Sequence, residues 1–216
     1  MVNCEKPFLI YALPRSRSTA ILQASKKPII IYEPFNPNIR NSSEVSWYEL
    51  KNQLNNKDAS IKILCSHFKK FHKAKIWYDH VQREKRFKIF VVQRDIREIC
   101  HSYMIAPFVG FEKQYESREK DLKGKIEIQI NEIEFEDLLT TTFQSFLDFF
   151  PEYGTVINWK NLPEDFFDKT KVNIQEQFSQ TKLDLVKNLD SCLLIVEKIV
   201  KQFEPLIDDK LCKLRE

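Results

Sequence analysis

The stretch FKIFVVQRDIRE, Phe87–Glu98, decides the fold class. Phe87–Gln93 is a short, mostly apolar, β-prone run. It stops at Arg94, and Asp95 with Glu98 three residues later forms a capping-box arrangement with Asp in the place of Ser or Thr. A buried strand that feeds directly into a helix is half of a βαβ unit. Working outward, the same alternation recurs. Pro7–Leu13 reads as a first strand, followed by a short loop and a helix from Ser18 to Ser25. Pro28–Tyr32, closed by Glu33-Pro34, Ser60–Cys65, and Thr155–Trp159 after Gly154 read as further strands. Helical patterns lie at Ser46–Asn55, Lys73–Lys85 and Asp95–Ile105. Strands alternating with helices predict an α/β domain with a central, mainly parallel sheet of about five strands flanked by helices.

Two later segments read as helices with an apolar stripe. Glu134–Phe150 carries Phe135, Leu138, Leu139, Phe143, Phe146 and Phe150, and Lys182–Phe203 carries Val186, Leu189, Leu193, Val196, Val200 and Phe203. Both stripes are read as core. The highly charged stretch 111–131 breaks the alternation and reads as an insert or flexible excursion within a single domain spanning 1–216.

Composition narrows the function. The 216 residues are 43% hydrophobic and 30% charged, with 34 basic against 31 acidic side chains and a net charge of +3. That is enough chain for a full core, and it argues against a disordered chain or a generic nucleic-acid binder. Any anion site must therefore be local. The three glycines, Gly110, Gly124 and Gly154, make neither a GxGxxG turn nor a GxxxxGK[ST] phosphate loop. Five cysteines without a CxxC pair fit reduced thiols in a cytoplasmic protein and give no zinc site. The six-residue apolar run Phe8–Leu13 is too short for a signal-peptide core or a membrane span.

Two loops carry candidate chemistry. The first strand runs into Pro14-Arg15-Ser16-Arg17-Ser18-Thr19 and then a helix. Backbone N–H groups, a positive helix end, an arginine able to make paired hydrogen bonds and three hydroxyls suit a phosphate or sulfate. Arg94 stands at the carboxyl end of a parallel strand, where open α/β sheets bind ligands, and Ser102 follows two helical turns later.

Together, FLIYALPRSRSTAIL (8–22) and VVQRDIREICHSYM (91–104) resemble the nucleotide-binding motifs of sulfotransferases that use 3′-phosphoadenosine 5′-phosphosulfate (PAPS). The resemblance implies a three-layer, P-loop-like α/β domain. It implies that Arg15, Ser16, Ser18 and Thr19 hold the sulfate-bearing phosphate of PAPS, and that Arg94 and Ser102 hold the 3′-phosphate, with 3′-phosphoadenosine 5′-phosphate (PAP) as product and no metal required. Where the family has glycine this chain has Arg17, which is strained if the loop needs φ > 0 there. Alternatively, Arg17 is a second anion clamp or faces the acceptor.

Two residues compete as the base that takes the acceptor's proton. Glu33, in Ile31-Tyr32-Glu33-Pro34, follows the second strand, and Pro34 predicts an extended turn that leaves the carboxylate beside the ligand crevice. It is similar to the glutamate proposed as base in carbohydrate and tyrosylprotein sulfotransferases. His67, in Cys65-Ser66-His67, resembles the histidine of the KTH segment of cytosolic sulfotransferases, and imidazole suits that role near neutral pH. The lysine of that segment is Cys65 here, with Lys69 or Lys70 as substitutes for its charge. The family's late Arg-Lys-Gly motif is absent. Arg15 is the candidate for stabilising the departing oxygen. The expectation is sulfuryl transfer from PAPS to a hydroxyl or amine on a small-molecule, glycan, lipid or peptide acceptor, with no nucleic-acid partner. Two alternatives stand beside it: a PAP- or anion-binding protein without turnover, and a P-loop-type phosphotransferase.

Overall fold

Short apolar runs become strands here because each is too brief for a stable helix and is bounded by Pro, Gly or polar turns. The computed structural model describes residues 7–24, 29–34, 59–66, 68, 72–85, 87–106, 116–120, 126–161 and 183–214. Among them the strands are β1 (Phe8–Ala12), β2 (Ile29–Tyr32), β3 (Ala59–Leu64), β4 (Lys88–Gln93), β5 (Glu116–Lys120), β6 (Ile126–Ile130) and β7 (Thr155–Asn158). The helices are α1 (Ser18–Ala24), α2 (His72–Glu84), α3 (Ile96–Ile105), α4 (Glu132–Asp148) and α5 (Leu189–Lys213). The helix expected at Ser46–Asn55 lies outside the described residues.

The protein is α/β. Five strands form one sheet in the order β2-β3-β1-β4-β7, and every neighbouring pair is parallel. The chain divides into two compact units, the first comprising 1–94, 145–172 and 209–216, the second 95–144 and 173–208.

The first unit holds the five-stranded sheet. Phe8, Ile10 and Ala12 of β1, with Phe90 and Val92 of β4, pack under Ile21 and Leu22 of α1 on one face. Tyr11 points to the opposite face, as strand alternation requires. There it stacks on Tyr78 of α2, on Phe68 and on Phe146, and its hydroxyl donates to the Phe146 carbonyl at 2.9 Å. The turn into β7 needs glycine. Gly154 has φ 156°, and a Cβ there would stand 3.0 Å from the Ile89 carbonyl oxygen.

Sheet order decides where a ligand can sit. From β1 the chain crosses to the edge strand β2, returns through β3 beside β1, and then takes up β4 on the other side of β1. The direction of winding thus reverses at β1. In open parallel sheets the crevice beyond the carboxyl ends of the strands at such a switch point binds ligands. The segments that follow β1, β2, β3 and β4 all leave the sheet at that edge.

The second unit contains α3, the β5–β6 pair, and most of α4 and α5. One of its features, the last helix, departs from the sequence reading. Within the charged stretch, β5 and β6 pair antiparallel over Glu116–Lys120 and Ile126–Ile130, separately from the main sheet. The last helix begins later and runs longer than expected: α5 starts at Leu189 and passes Pro205 to reach Lys213. Val186 is therefore no part of the helical stripe. It forms a β-bridge with Ile128, with Ile128 N–H donating to Leu185 and Lys187 N–H donating to Ile128, both at 2.9 Å. Backbone pairing with β6 satisfies the groups that a helix would otherwise have used. The buried stripe of α5 is Cys192, Val196, Ile199, Val200, Phe203, Ile207 and Leu211.

Candidate anion site at the carboxyl edge of the sheet

Leu13-Pro14-Arg15-Ser16 closes by a hydrogen bond from Ser16 N–H to the Leu13 carbonyl at 3.3 Å. Proline in the second position and φ 65° at Arg15 in the third mark a type II turn, whose third residue is ordinarily glycine. Arg17 repeats the pattern with φ 61°, at the position where the resemblance has glycine. Each non-glycine residue in this region carries strain of about 1–2 kcal/mol. Arg17 then hands the chain to α1, its carbonyl accepting from Ala20 N–H at 3.0 Å. With 7 residues, α1 is under two turns, so its end contributes little field. The electrostatics of the loop rest on side-chain cations.

Arg94 supplies one of them. It follows β4, is 7% exposed, and its Nη1 donates to the Arg15 carbonyl at 2.5 Å. Arg15 and Arg94, 79 residues apart in sequence, therefore meet within the first unit. Ser16 lies between the two strained arginines and is fully buried, and its Oγ makes no hydrogen bond among the described residues. A buried donor of this kind is uncommon and suits an anion oxygen. Ser18 is buried and Thr19 is exposed.

Glu33 follows β2 at the same edge. Its N–H donates to the Lys62 carbonyl at 3.1 Å, and its φ is 43°. The extended backbone expected from Pro34 is thus replaced by a left-handed one, because the bond to β3 and a side-chain ion pair outweigh the local preference. The carboxylate pairs with the Lys62 ammonium, which also donates to Thr19 Oγ1 at 2.7 Å. The Lys62 and Glu33 side chains are only 6% and 13% exposed. Removing one partner of a buried pair leaves an uncompensated charge, at a cost of about 3–5 kcal/mol.

Lys62 is the residue the motifs missed. It sits inside β3, level with Ile10 of β1 and Tyr32 of β2. A sequence signal existed. A lysine at the middle of Ser60-Ile61-Lys62-Ile63-Leu64, in a parallel strand covered on both faces, requires a counter-charge.

Cys65 is buried after β3, its N–H donating to the Ala12 carbonyl at 3.2 Å, which ties the ends of β1 and β3 together. His67, Lys69 and Lys70 lie outside the described residues. Ser102 is buried on α3, which belongs to the second unit. Asp95 caps α3, accepting from Arg97 N–H and Glu98 N–H at 2.9 and 3.3 Å. His101, half-buried beside Ser102, has its imidazole pushed below the usual value by burial and then by Arg97. Arg97 itself grips Glu197 through two hydrogen bonds of 3.1 and 2.8 Å. Among the described residues no cluster of His, Cys, Asp or Glu could hold a metal ion, and no helix is long and apolar enough to cross a membrane.

No known family model, curated protein or solved structure matches this chain.

Proposed function

We propose that the chain is a PAPS-dependent sulfotransferase acting on a hydroxyl or amine of a small-molecule, glycan, lipid or peptide acceptor. The hydrogen bond from the Arg94 guanidinium to the Arg15 carbonyl carries this reading, because it brings one arginine from each of the two resembling motifs together at the switch point of a parallel sheet. The buried Ser16 hydroxyl supports it, as a donor suited to a nucleotide phosphate or sulfate oxygen.

PAPS supplies an activated sulfuryl group. The roles of this chain are to orient it, to place cations where negative charge grows, and to take the acceptor's proton. Arg15 and Arg17 bring guanidinium charge to the loop, and Arg94 holds the loop's backbone. Glu33 accepts the proton in this reading. As it does so, the acceptor oxygen or nitrogen bonds to sulfur, and the bond between sulfur and the phosphate oxygen breaks. His67 remains the competing base.

The test is binding followed by transfer. Saturating PAP without Mg²⁺ raises Tm by about 5 °C or more, whereas ATP does not. Arg94→Ala abolishes the shift while far-UV circular dichroism is unchanged. Absence of any PAP shift in the wild type refutes the proposal. One observation favours a second reading, a PAP-binding protein without turnover: the Glu33 carboxylate is already engaged by Lys62. Transfer of labelled sulfate from PAPS to an acceptor panel separates the two.

A further inference from the structure

Lys62 is a lysine in the middle of a sheet, and its ammonium has two partners in two different parts of the proposed site. One is the carboxylate of Glu33, at the end of β2. The other is the hydroxyl of Thr19, in the first turn of α1 beside the arginine loop. A backbone bond from Glu33 N–H to the Lys62 carbonyl fixes the register between them. A buried ammonium without a counter-charge is costly, so the charge state of Glu33 and the position of Lys62 are bound together.

We infer that Lys62 is a positioning residue that links proton uptake at Glu33 to charge stabilisation at the arginine loop. This inference rests on the sulfotransferase reading. Before the reaction, the ammonium pairs with the carboxylate and holds it at the carboxyl edge of the sheet. During transfer, Glu33 takes the acceptor's proton and loses its charge. The acceptor atom bonds to sulfur, and the electron pair of the breaking sulfur–oxygen bond stays on the nucleotide phosphate. Lys62 then lacks its counter-charge just as negative charge builds up beside Thr19. Its attraction passes from the carboxylate to the anion in the loop. A preorganised charge that strengthens as the reaction proceeds acts on kcat rather than on ground-state binding.

The experiment compares wild type, Lys62→Met, Glu33→Gln and the double variant in sulfate transfer and in PAP binding by calorimetry. Lys62→Met lowers kcat at least about tenfold and changes PAP affinity less than about threefold. The double variant turns over at the rate of Glu33→Gln, within about twofold, because the two residues act as one unit. Should Lys62→Met alone fail to fold, the double variant removes both charges, and its comparison with Glu33→Gln carries the test. Unchanged kcat in Lys62→Met, or losses that multiply in the double variant, overturns this role while the transferase reading stands. Wild-type protein that binds PAP but transfers no sulfate overturns both this role and transfer and leaves only binding.

Discussion

Arg15, Arg17 and Glu33 all adopt left-handed backbone angles, and all three lie at the carboxyl edge of the parallel sheet in the first unit. Strained residues persist where surrounding contacts hold them, and they cluster at functional sites. At Arg15 the contact is the Arg94 guanidinium; at Glu33 it is the pair of bonds to Lys62. Arg17 is the informative case, since glycine would relieve its backbone and remove its charge together. Relief of about 1–2 kcal/mol exceeds the roughly 0.5–1 kcal/mol of added chain entropy. In Arg17→Gly, PAP affinity measured by calorimetry falls about tenfold, the loss expected of one guanidinium–anion contact. Unchanged PAP affinity would mean that the Arg17 side chain does not serve a ligand.

The elements of the second unit are joined by side chains that imitate backbone. Asn188, just before α5, donates from Nδ2 to the Ile130 carbonyl at 2.9 Å and accepts from Ile130 N–H at 3.1 Å through Oδ1. It thereby extends β6 as a neighbouring strand would, and Nδ2 also reaches Glu132 at 2.9 Å. Its own carbonyl starts α5 by accepting from Cys192 N–H at 3.1 Å. One residue thus ends the strand-like strap at Val186 and begins a helix of 25 residues. Asn188→Ala leaves both polar groups of Ile130 without their partner and costs about 2 kcal/mol, read as a lower midpoint in urea. Asn188→Asp keeps the acceptor but sets a carboxylate oxygen against the Ile130 carbonyl and the Glu132 carboxylate, and costs at least as much as Asn188→Ala.

At the scale of the whole molecule, buried thiols report on each unit separately. Cys65 is buried in the first unit, Cys100 and Cys192 are buried in the second, and Cys212 is exposed. Burial raises the Cys100 thiol well above its ordinary range and pushes Cys192 up to about 12. Alkylation follows thiolate fraction and access. Iodoacetamide at pH 8 therefore modifies Cys212 while Cys65, Cys100 and Cys192 resist, as peptide mass spectrometry would show. With rising denaturant, Cys100 and Cys192 become reactive at a common midpoint, because they open with the same unit. Separate midpoints would contradict the division.

The parallel sheet was legible from sequence because its strands are short apolar runs closed by Pro, Gly or charge, a signal that is local in the chain. Phe8–Ala12, Lys88–Gln93 and the arginine-bearing loops after them could be read for the same reason. What depended on distant partners could not. Val186 sits in a helical spacing but pairs with β6, and Glu33 turns left-handed against the preference set by Pro34 because β3 holds it. The ion pair of Glu33 with Lys62 joins residues 29 positions apart, and the bond of Arg94 to Arg15 spans 79. Periodicity and turn chemistry are properties of neighbouring residues. Counter-charges for a buried lysine and donors for a strained carbonyl exist only once the strands lie side by side, so those were decided by the tertiary structure alone.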